Sequence, residues 1–232
     1  MADQKIIFSF KFVVLVLFTL VILPLLPLLI SWRWNWFEAW VYFFINIFGF
    51  AISRALAARH HPDLIVERSR FLDHADAKSW DKLLSPLVGV GGGLLPLIAG
   101  LDERFGWSPA FNVPLKIITL VLILAGYTLS SYALIENRFF SGMVRIQTER
   151  GHQVISSGPY RWIRHPGYAG ATLAYLVSPF FLDSSWAFIP AVVITIILVL
   201  RTYLEDKTLQ VELRGYREYA SRVRYRLFPG IW

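Results

Sequence analysis

Two stretches in the last two fifths of the chain hold the residue types from which a reactive site can be built. The first is 137–170, NRFFSGMVRIQTERGHQVISSGPYRWIRHPGYAG, and the second is 201–232, RTYLEDKTLQVELRGYREYASRVRYRLFPGIW. In the first, Gly158-Pro159 and His165-Pro166-Gly167 are turn signals on either side of an aromatic, basic segment. Pro166 has no backbone donor and biases His165 towards extended backbone, so backbone groups there are expected to be free for a ligand. An ordinary interfacial loop is the competing reading, with Tyr160, Trp162 and Tyr168 as membrane anchors and Arg161 and Arg164 on headgroups. In the second, Arg201 and Glu205 are spaced i, i+4 at the end of an apolar run. They share one helical face, either as a plain ion pair or as an ionisable site at a membrane boundary. Asp206 makes that helix end acidic, which the dipole disfavours and a cationic ligand would offset.

Other groupings carry less. The chain has no cysteine, which excludes disulfides, thiolate nucleophiles and zinc–thiolate sites. Gly89 to Gly93 lacks the Lys-Ser/Thr of a phosphate-binding loop, so close helix packing or a break in a span is expected there. His60, His61 and Asp63 read as a solvated loop, because adjacent histidines do not share a helix face, and no metal is expected. The tail from Tyr216 to Arg226 reads as an interfacial amphipathic helix that can also serve as a lid.

The elements that must position these residues are apolar. Of 232 residues 56% are hydrophobic and 17% charged, and the apolar residues fall in long blocks with charges in the gaps. Spans are predicted over Ile6–Ile30, with a kink or break at Pro24 and Pro27, and over 37–56, 83–101, 110–135, 167–182 and 186–204. Trp32, Trp34 and Trp36 read as an interfacial belt. Ala57 to Lys82 is too charged to cross, and 183–185 makes the last pair a tight hairpin. The expectation is six crossings, with five the alternative, in one all-α, polytopic membrane domain spanning 1–232.

With six spans, both termini share a side with the loops at 54–82 and 137–166. That side carries 20 of the 23 Lys and Arg. The positive-inside rule then predicts cytoplasmic termini, with the two polar stretches facing the same compartment. Anionic lipid accounts for the net charge of +7, and no nucleic-acid partner is expected.

The order Arg-Gly-His at 150–152, Gly-Pro-Tyr-Arg at 158–161, Arg-His-Pro-Gly-Tyr at 164–168, Arg201 with Glu205, Gly215-Tyr216 with Tyr219, and Arg-Leu-Phe-Pro-Gly at 226–230 resembles the isoprenylcysteine carboxyl methyltransferase family. Phospholipid N-methyltransferases belong to the same wider group. The resemblance implies a transmembrane scaffold over 1–135 and an S-adenosylmethionine site in 136–232, without a soluble Rossmann domain. Cofactor contacts would fall to Gln147, His152, Gln153, Val154, Ile155, Tyr160, His165, Pro166, Gly167, Tyr168 and Glu205. Arg201 would face the methyl acceptor. Relatives often show consecutive glutamates where this chain has Glu205-Asp206, which makes Asp206 a weaker candidate. The partners implied are S-adenosylmethionine, a lipophilic acceptor and the bilayer. Within that resemblance the acceptor stays open between an isoprenylcysteine-like carboxylate, a phospholipid amine and a small thiol. An NADPH-dependent reductase of the sterol-reductase type and a small transporter are the rival functions.

Overall fold

A computed structural model describes residue 14, residues 16–70 and residues 75–232. Its regular elements are helices: α1 (Phe18–Ser31), α2 (Phe37–His60), α3 (Pro62–Ser69), α4 (Asp81–Phe105), α5 (Val113–Glu136), α6 (Pro166–Phe181), α7 (Phe188–Glu212) and α8 (Tyr216–Arg222). The helices α2, α4, α5 and α7 are long and apolar enough to cross a membrane. The expected all-α polytopic architecture is therefore present, and the chain is an integral membrane protein. The opening of the first predicted span lies outside the described residues. At 16 residues, α6 reaches only about 24 Å, short of a hydrocarbon core of about 30 Å.

Contacts fix the directions of the helices. Leu23 lies against Gly93 and Ile30 against Gly100, so α1 and α4 are parallel. Asp81 meets Arg201 while Asp102 meets Ser184, so α4 and α7 are antiparallel. Lys116 at the start of α5 pairs with Glu38 at the start of α2, and Tyr127 bonds Asn46, so those two run together. Hence α1, α4 and α6 run one way and α2, α5 and α7 the other, the alternation that six crossings require. The hairpin predicted at 183–185 joins α6 to α7.

Glycines set the closest approaches. At the α5–α6 crossing, a Cβ on Gly126 would lie 2.5 Å from the Gly170 carbonyl oxygen, so only glycines let these backbones touch. The run at Gly89 to Gly93 is unbroken helix, and a Cβ on Gly91 would meet Ile194 at 2.5 Å. Close packing, not a break, explains it. In α1 a π-helical turn, Phe18–Ile22, precedes regular helix over Leu23–Ser31, which carries Pro27 inside it. The belt expectation needs one correction: Trp32 and Trp34 are exposed, but Trp36 is buried in the core with Ala39, Tyr42 and Leu95. Its neighbours at the turn into α2 leave it facing inward.

The end of the bundle holding the α1–α2, α4–α5 and α6–α7 connections is closed by internal bonds. Asp102 accepts from Ser108 Oγ at 2.8 Å, Ser184 Oγ at 2.5 Å and the Trp186 amide at 3.3 Å. Lys116 bonds both Glu38 and Asp183, and Asp183 also accepts from the Phe111 amide. The opposite end holds α3, the 137–165 connection and α8, and it is open.

Candidate functional site: a cleft between the 137–165 connection and the end of α7

At this open end lies a cleft lined by residues of the 137–165 connection, α6, α7 and α8. One wall is the extended segment 152–155. Gln153, Val154 and Ile155 form no backbone–backbone hydrogen bond with the described residues, so their amides and carbonyls are available to a ligand. The opposite wall is α7 with Glu205 and Leu209, and the Tyr216 and Tyr219 rings of α8 close one side. The tail thus folds over the site, as a lid would.

Of the residues named from sequence, Gln147, His152, Gln153, Val154, Ile155, Tyr160, His165, Gly167, Tyr168 and Glu205 all line this cleft. Two do not. Pro166 is the first residue of α6, where its missing amide is harmless. Arg201 is buried beneath the cleft floor. Its Nε and Nη2 clasp Asp81 at 2.6 and 2.8 Å, and Nη2 also reaches the Gly142 carbonyl at 2.8 Å. Its guanidinium lies 5.3 Å from the centre of the Tyr168 ring.

The helical pairing of Arg201 with Glu205 is not made. Glu205 Oε2 instead accepts from Tyr168 Oη at 2.6 Å, and Oε1 is 4.0 Å from His165 Nδ1. No Lys or Arg pairs with Glu205 among the described residues. Its neighbour is the reverse case. Asp206, 1% exposed, is bonded by Arg164, Arg226, Gln210 and Tyr216, with His165 Nε2 at 3.5 Å. The helix-end argument for these two acids also falls, because α7 continues to Glu212 and neither is at its terminus. Asp206 is held by the chain's own cations and is a poor candidate for a ligand.

The histidines are positioned differently. The Gln147 amide donates to His152 Nδ1 at 3.3 Å, and Phe139 lies 4.6 Å from the imidazole, ring to ring. Burial first, then the Arg150 and Arg145 guanidiniums, pull His152 down to about 4, so it is neutral at physiological pH with Nδ1 as acceptor. His165 stacks parallel to Tyr168, centroids 5.8 Å apart. Its amide is not free as expected: it donates to the Arg226 carbonyl at 2.9 Å, as Arg164 does to Tyr225. The tail occupies the backbone that Pro166 was expected to leave open. Burial raises the Tyr160 hydroxyl, which is bonded by Asn137 and donates to the Ala133 carbonyl.

The interfacial-loop alternative is corrected in the same way. Tyr160 and Arg164 are buried, and Tyr168 lines the cleft; Trp162 is exposed and fits an anchor. Gly167 is required for packing, since a Cβ there would sit 2.6 Å from the Phe140 ring. Sequence reasoning passed over Asn137, Phe139, Leu209 and Leu213, which also line the cleft, and Asp81, which holds Arg201. Asp81 is 120 positions from Arg201, and no local spacing could pair them.

Comparison with known proteins agrees with the region that forms the cleft. Residues 112–211 match the model of the isoprenylcysteine carboxyl methyltransferase (ICMT) family. Two proteins of Oryza sativa, subspecies indica and japonica, are each named "Probable protein-S-isoprenylcysteine O-methyltransferase". Each is 28% identical over 114 residues, covering 46% of this chain and 57% of the relative. The chain therefore spans little more than half the length of these relatives. The match begins with α5, ahead of the motifs, and stops before α8 and the Arg226-to-Gly230 tail. Through residues 112–211, the chain is similar to the isoprenylcysteine carboxyl methyltransferase family.

Proposed function

We propose that this protein is a membrane methyltransferase that uses S-adenosylmethionine to methylate a lipophilic acceptor, with an isoprenylcysteine-like carboxylate the leading class. The observation that carries the reading is Glu205: a carboxylate at the cleft without a basic partner, beside an Asp206 that has several. A carboxylate with no Lys or Arg bonded to it, although the Arg201 charge acts on it at longer range, suits a cationic ligand, and S-adenosylmethionine brings a sulfonium and an ammonium. The free backbone of 153–155 suits the polar edge of an adenine, and Phe139, Tyr160 and Tyr216 supply apolar surface. Bound there, the cofactor would supply an electrophilic methyl group.

The chain's part is then to hold and align. Glu205 and the 152–155 segment would fix the donor, while Tyr168, hydrogen-bonded to Glu205, would fix the carboxylate. Neutral His152 would add no positive charge of its own to oppose a cationic ligand. A carboxylate acceptor is already nucleophilic, so no general base is needed, and alignment of the reacting atoms at about 3–3.5 Å would supply much of the rate. An amine or thiol acceptor would have to lose a proton, and His165 would be the candidate to receive it, since the Tyr168 hydroxyl is protonated and already donates to Glu205. Arg201, joined to Asp81 below Tyr168, would act on the acceptor through its charge and through the position of that ring. The charge asymmetry of the sequence supports a cytoplasmic site, with both termini on that side.

Equilibrium binding to purified protein in nanodiscs tests the reading. S-adenosylhomocysteine should bind stoichiometrically and NADPH should not; the reverse result would establish the reductase alternative. Glu205→Gln should weaken S-adenosylhomocysteine by about tenfold or more, the scale of a charge-assisted hydrogen bond. Labelled-methyl transfer to total membrane lipid would then identify the acceptor.

A further inference from the structure

Two arginines outside the family-matched region lack what every other buried or half-buried cation near the cleft possesses. Arg145 is clasped by Glu67, Asp76 and Glu149; Arg164 by Asp206; Arg201 by Asp81; Arg150 by Asp63. Arg54, near the end of α2, and Arg68, in the last turn of α3, are both half-buried. Among the described residues neither has a carboxylate within ion-pair distance. Arg54 Nη1 reaches only Ser53 Oγ, at 3.3 Å, and its guanidinium lies 4.4 Å from the centre of the Phe50 ring. Arg68 Nη1 donates to the Phe140 carbonyl at 3.0 Å, and its guanidinium lies 5.6 Å from that ring's centre.

The two guanidiniums lie within electrostatic reach of each other, and Arg68 within reach of Arg201. Burial, and then the Arg201 charge, lower Arg68 to about 10. Arg54 and Arg68 have no ion-paired carboxylate among the described residues, and half-buried like charges of this kind would be relieved by an oxyanion. Each guanidinium carries five N–H donors in a fixed fork, of which the bonds above use one apiece. Glu67 is adjacent to Arg68 but bonds Arg145 through both of its carboxylate oxygens. The place also fits a ligand of the cleft. Phe140 and Tyr168 line the cleft, while Arg68 donates to the Phe140 carbonyl and its guanidinium lies beside the Phe140 ring.

We propose that Arg54 and Arg68 form a binding site for the oxyanion of a lipid, a carboxylate or phosphate, one aromatic layer from the cofactor cleft. Because Arg201 already has Asp81, this pair, not Arg201, would recognise anionic lipid. The proposal rests on the cleft reading only for its consequence: an anionic group of the acceptor other than the atom to be methylated, which must lie about 3–3.5 Å from the methyl group, would dock there. A bilayer phospholipid headgroup could supply the same chemistry.

Dodecyl phosphate, dodecanoate and dodecanol, titrated against the full chain in phosphatidylcholine nanodiscs, test it. Wild type should bind the two anions about tenfold or more tighter than the alcohol, on the scale of one charge-assisted bond. The R54Q/R68Q double variant should lose that preference, while R54K/R68K should keep most of it. The melting temperature of R54Q/R68Q should be unchanged or higher, since no internal ion pair is lost. Equal binding of anions and alcohol by wild type would overturn the proposal. So would retention of the preference by R54Q/R68Q, or a melting temperature lowered by about 10 °C, the mark of a purely structural pair. Repeating the titration in phosphatidylglycerol nanodiscs separates the sources. Persistence assigns the site to the acceptor, and disappearance assigns it to the headgroup; either supports an oxyanion-lipid site. S-adenosylhomocysteine binding, measured in parallel, reports on the cleft alone: its failure with the anion preference intact would remove the methyltransferase reading and leave this site standing.

Discussion

The two ends of the helix bundle treat buried carboxylates differently. At the end with the short connections, Asp183 is bonded by Lys116 and the Phe111 amide, while Asp102 has no basic partner among the described residues: one oxygen accepts from two serines and an amide, and its buried Oδ1 has no hydrogen-bond partner there. Every one of these contacts joins two connections or a connection to a helix, and together they lock loops in place. At the cleft end, Asp81 and Asp206 are satisfied from within the chain, by Arg201 and by Arg164 with Arg226. There, however, Glu205 bonds a tyrosine and lies near a histidine, while Arg54 and Arg68 have no carboxylate within ion-pair distance among the described residues. Charges balanced internally hold the fold together. Only at the cleft end do groups of both signs lack an ion partner among the described residues, and the proposed cationic and anionic ligands would supply the complement there.

The largest effect that separates these classes should come from Asp206→Ala. It strands Arg164 and Arg226 around a vacated buried site, and breaking such a pair costs about 3–5 kcal/mol. Unfolding in detergent should show this loss, and S-adenosylhomocysteine binding should fall with it because α8 and the tail are released together. Arg201→Ala should resemble Asp206→Ala in size, since it leaves Asp81, fully buried, without its partner. A selective loss of acceptor turnover with unaltered stability would show instead that Arg201 works on the acceptor directly.

Next in size is the scaffold. Gly126→Ala drives a methyl group into the Gly170 carbonyl at the α5–α6 crossing, and overpacking of this kind costs about 1–3 kcal/mol. Because α6 begins with Pro166 and carries Gly167 and Tyr168 into the cleft, a lower melting temperature should be accompanied by weaker cofactor binding. Glu205→Gln should do the opposite, weakening S-adenosylhomocysteine by about tenfold or more with the melting temperature unchanged. A stability loss in Glu205→Gln as large as in Asp206→Ala would erase the distinction between the adjacent acids.

How much of this was legible in the sequence depends on the range of the interaction. Helix existence, the α6–α7 hairpin and the two segments that meet at the cleft follow from hydropathy blocks and turn residues, because those signals are local. The cleft-lining residues from Gln147 to Tyr168 follow from motif order. Partner choice does not. The spacing of Arg201 and Glu205 predicts a pair, yet Arg201 takes Asp81 and Glu205 takes Tyr168, since a buried bidentate bond outweighs an i, i+4 contact worth a few tenths of a kcal/mol. Likewise Pro166 predicts free backbone near His165, and the tail, some 60 residues on, supplies the acceptors. Trp36 reads as a belt residue by its neighbours in sequence and is core by its neighbours in space.

The smallest expected effect concerns His152, and it tests whether the cleft is built for a cation. Its folded-state value is about 4 against an ordinary 6.5, so between those pH values the unfolded chain holds a proton that the folded chain does not. Stability from this group is therefore complete above about pH 6.5 and declines as the pH falls towards 4. The Gln147 amide that donates to Nδ1 would have to give up its acceptor when the ring is protonated there. The same proton would place a positive charge in the cleft that Glu205 also lines, so S-adenosylhomocysteine affinity should drop over the same window. Melting temperatures and binding isotherms from pH 7 to pH 4 should show both declines in wild type. His152→Gln should flatten them relative to wild type while carboxylate titration near pH 4 remains in both proteins. Parallel acid profiles for the two proteins would mean that His152 contributes nothing to the electrostatic balance of the cleft, and the preference for a cationic ligand would then rest on Glu205 alone.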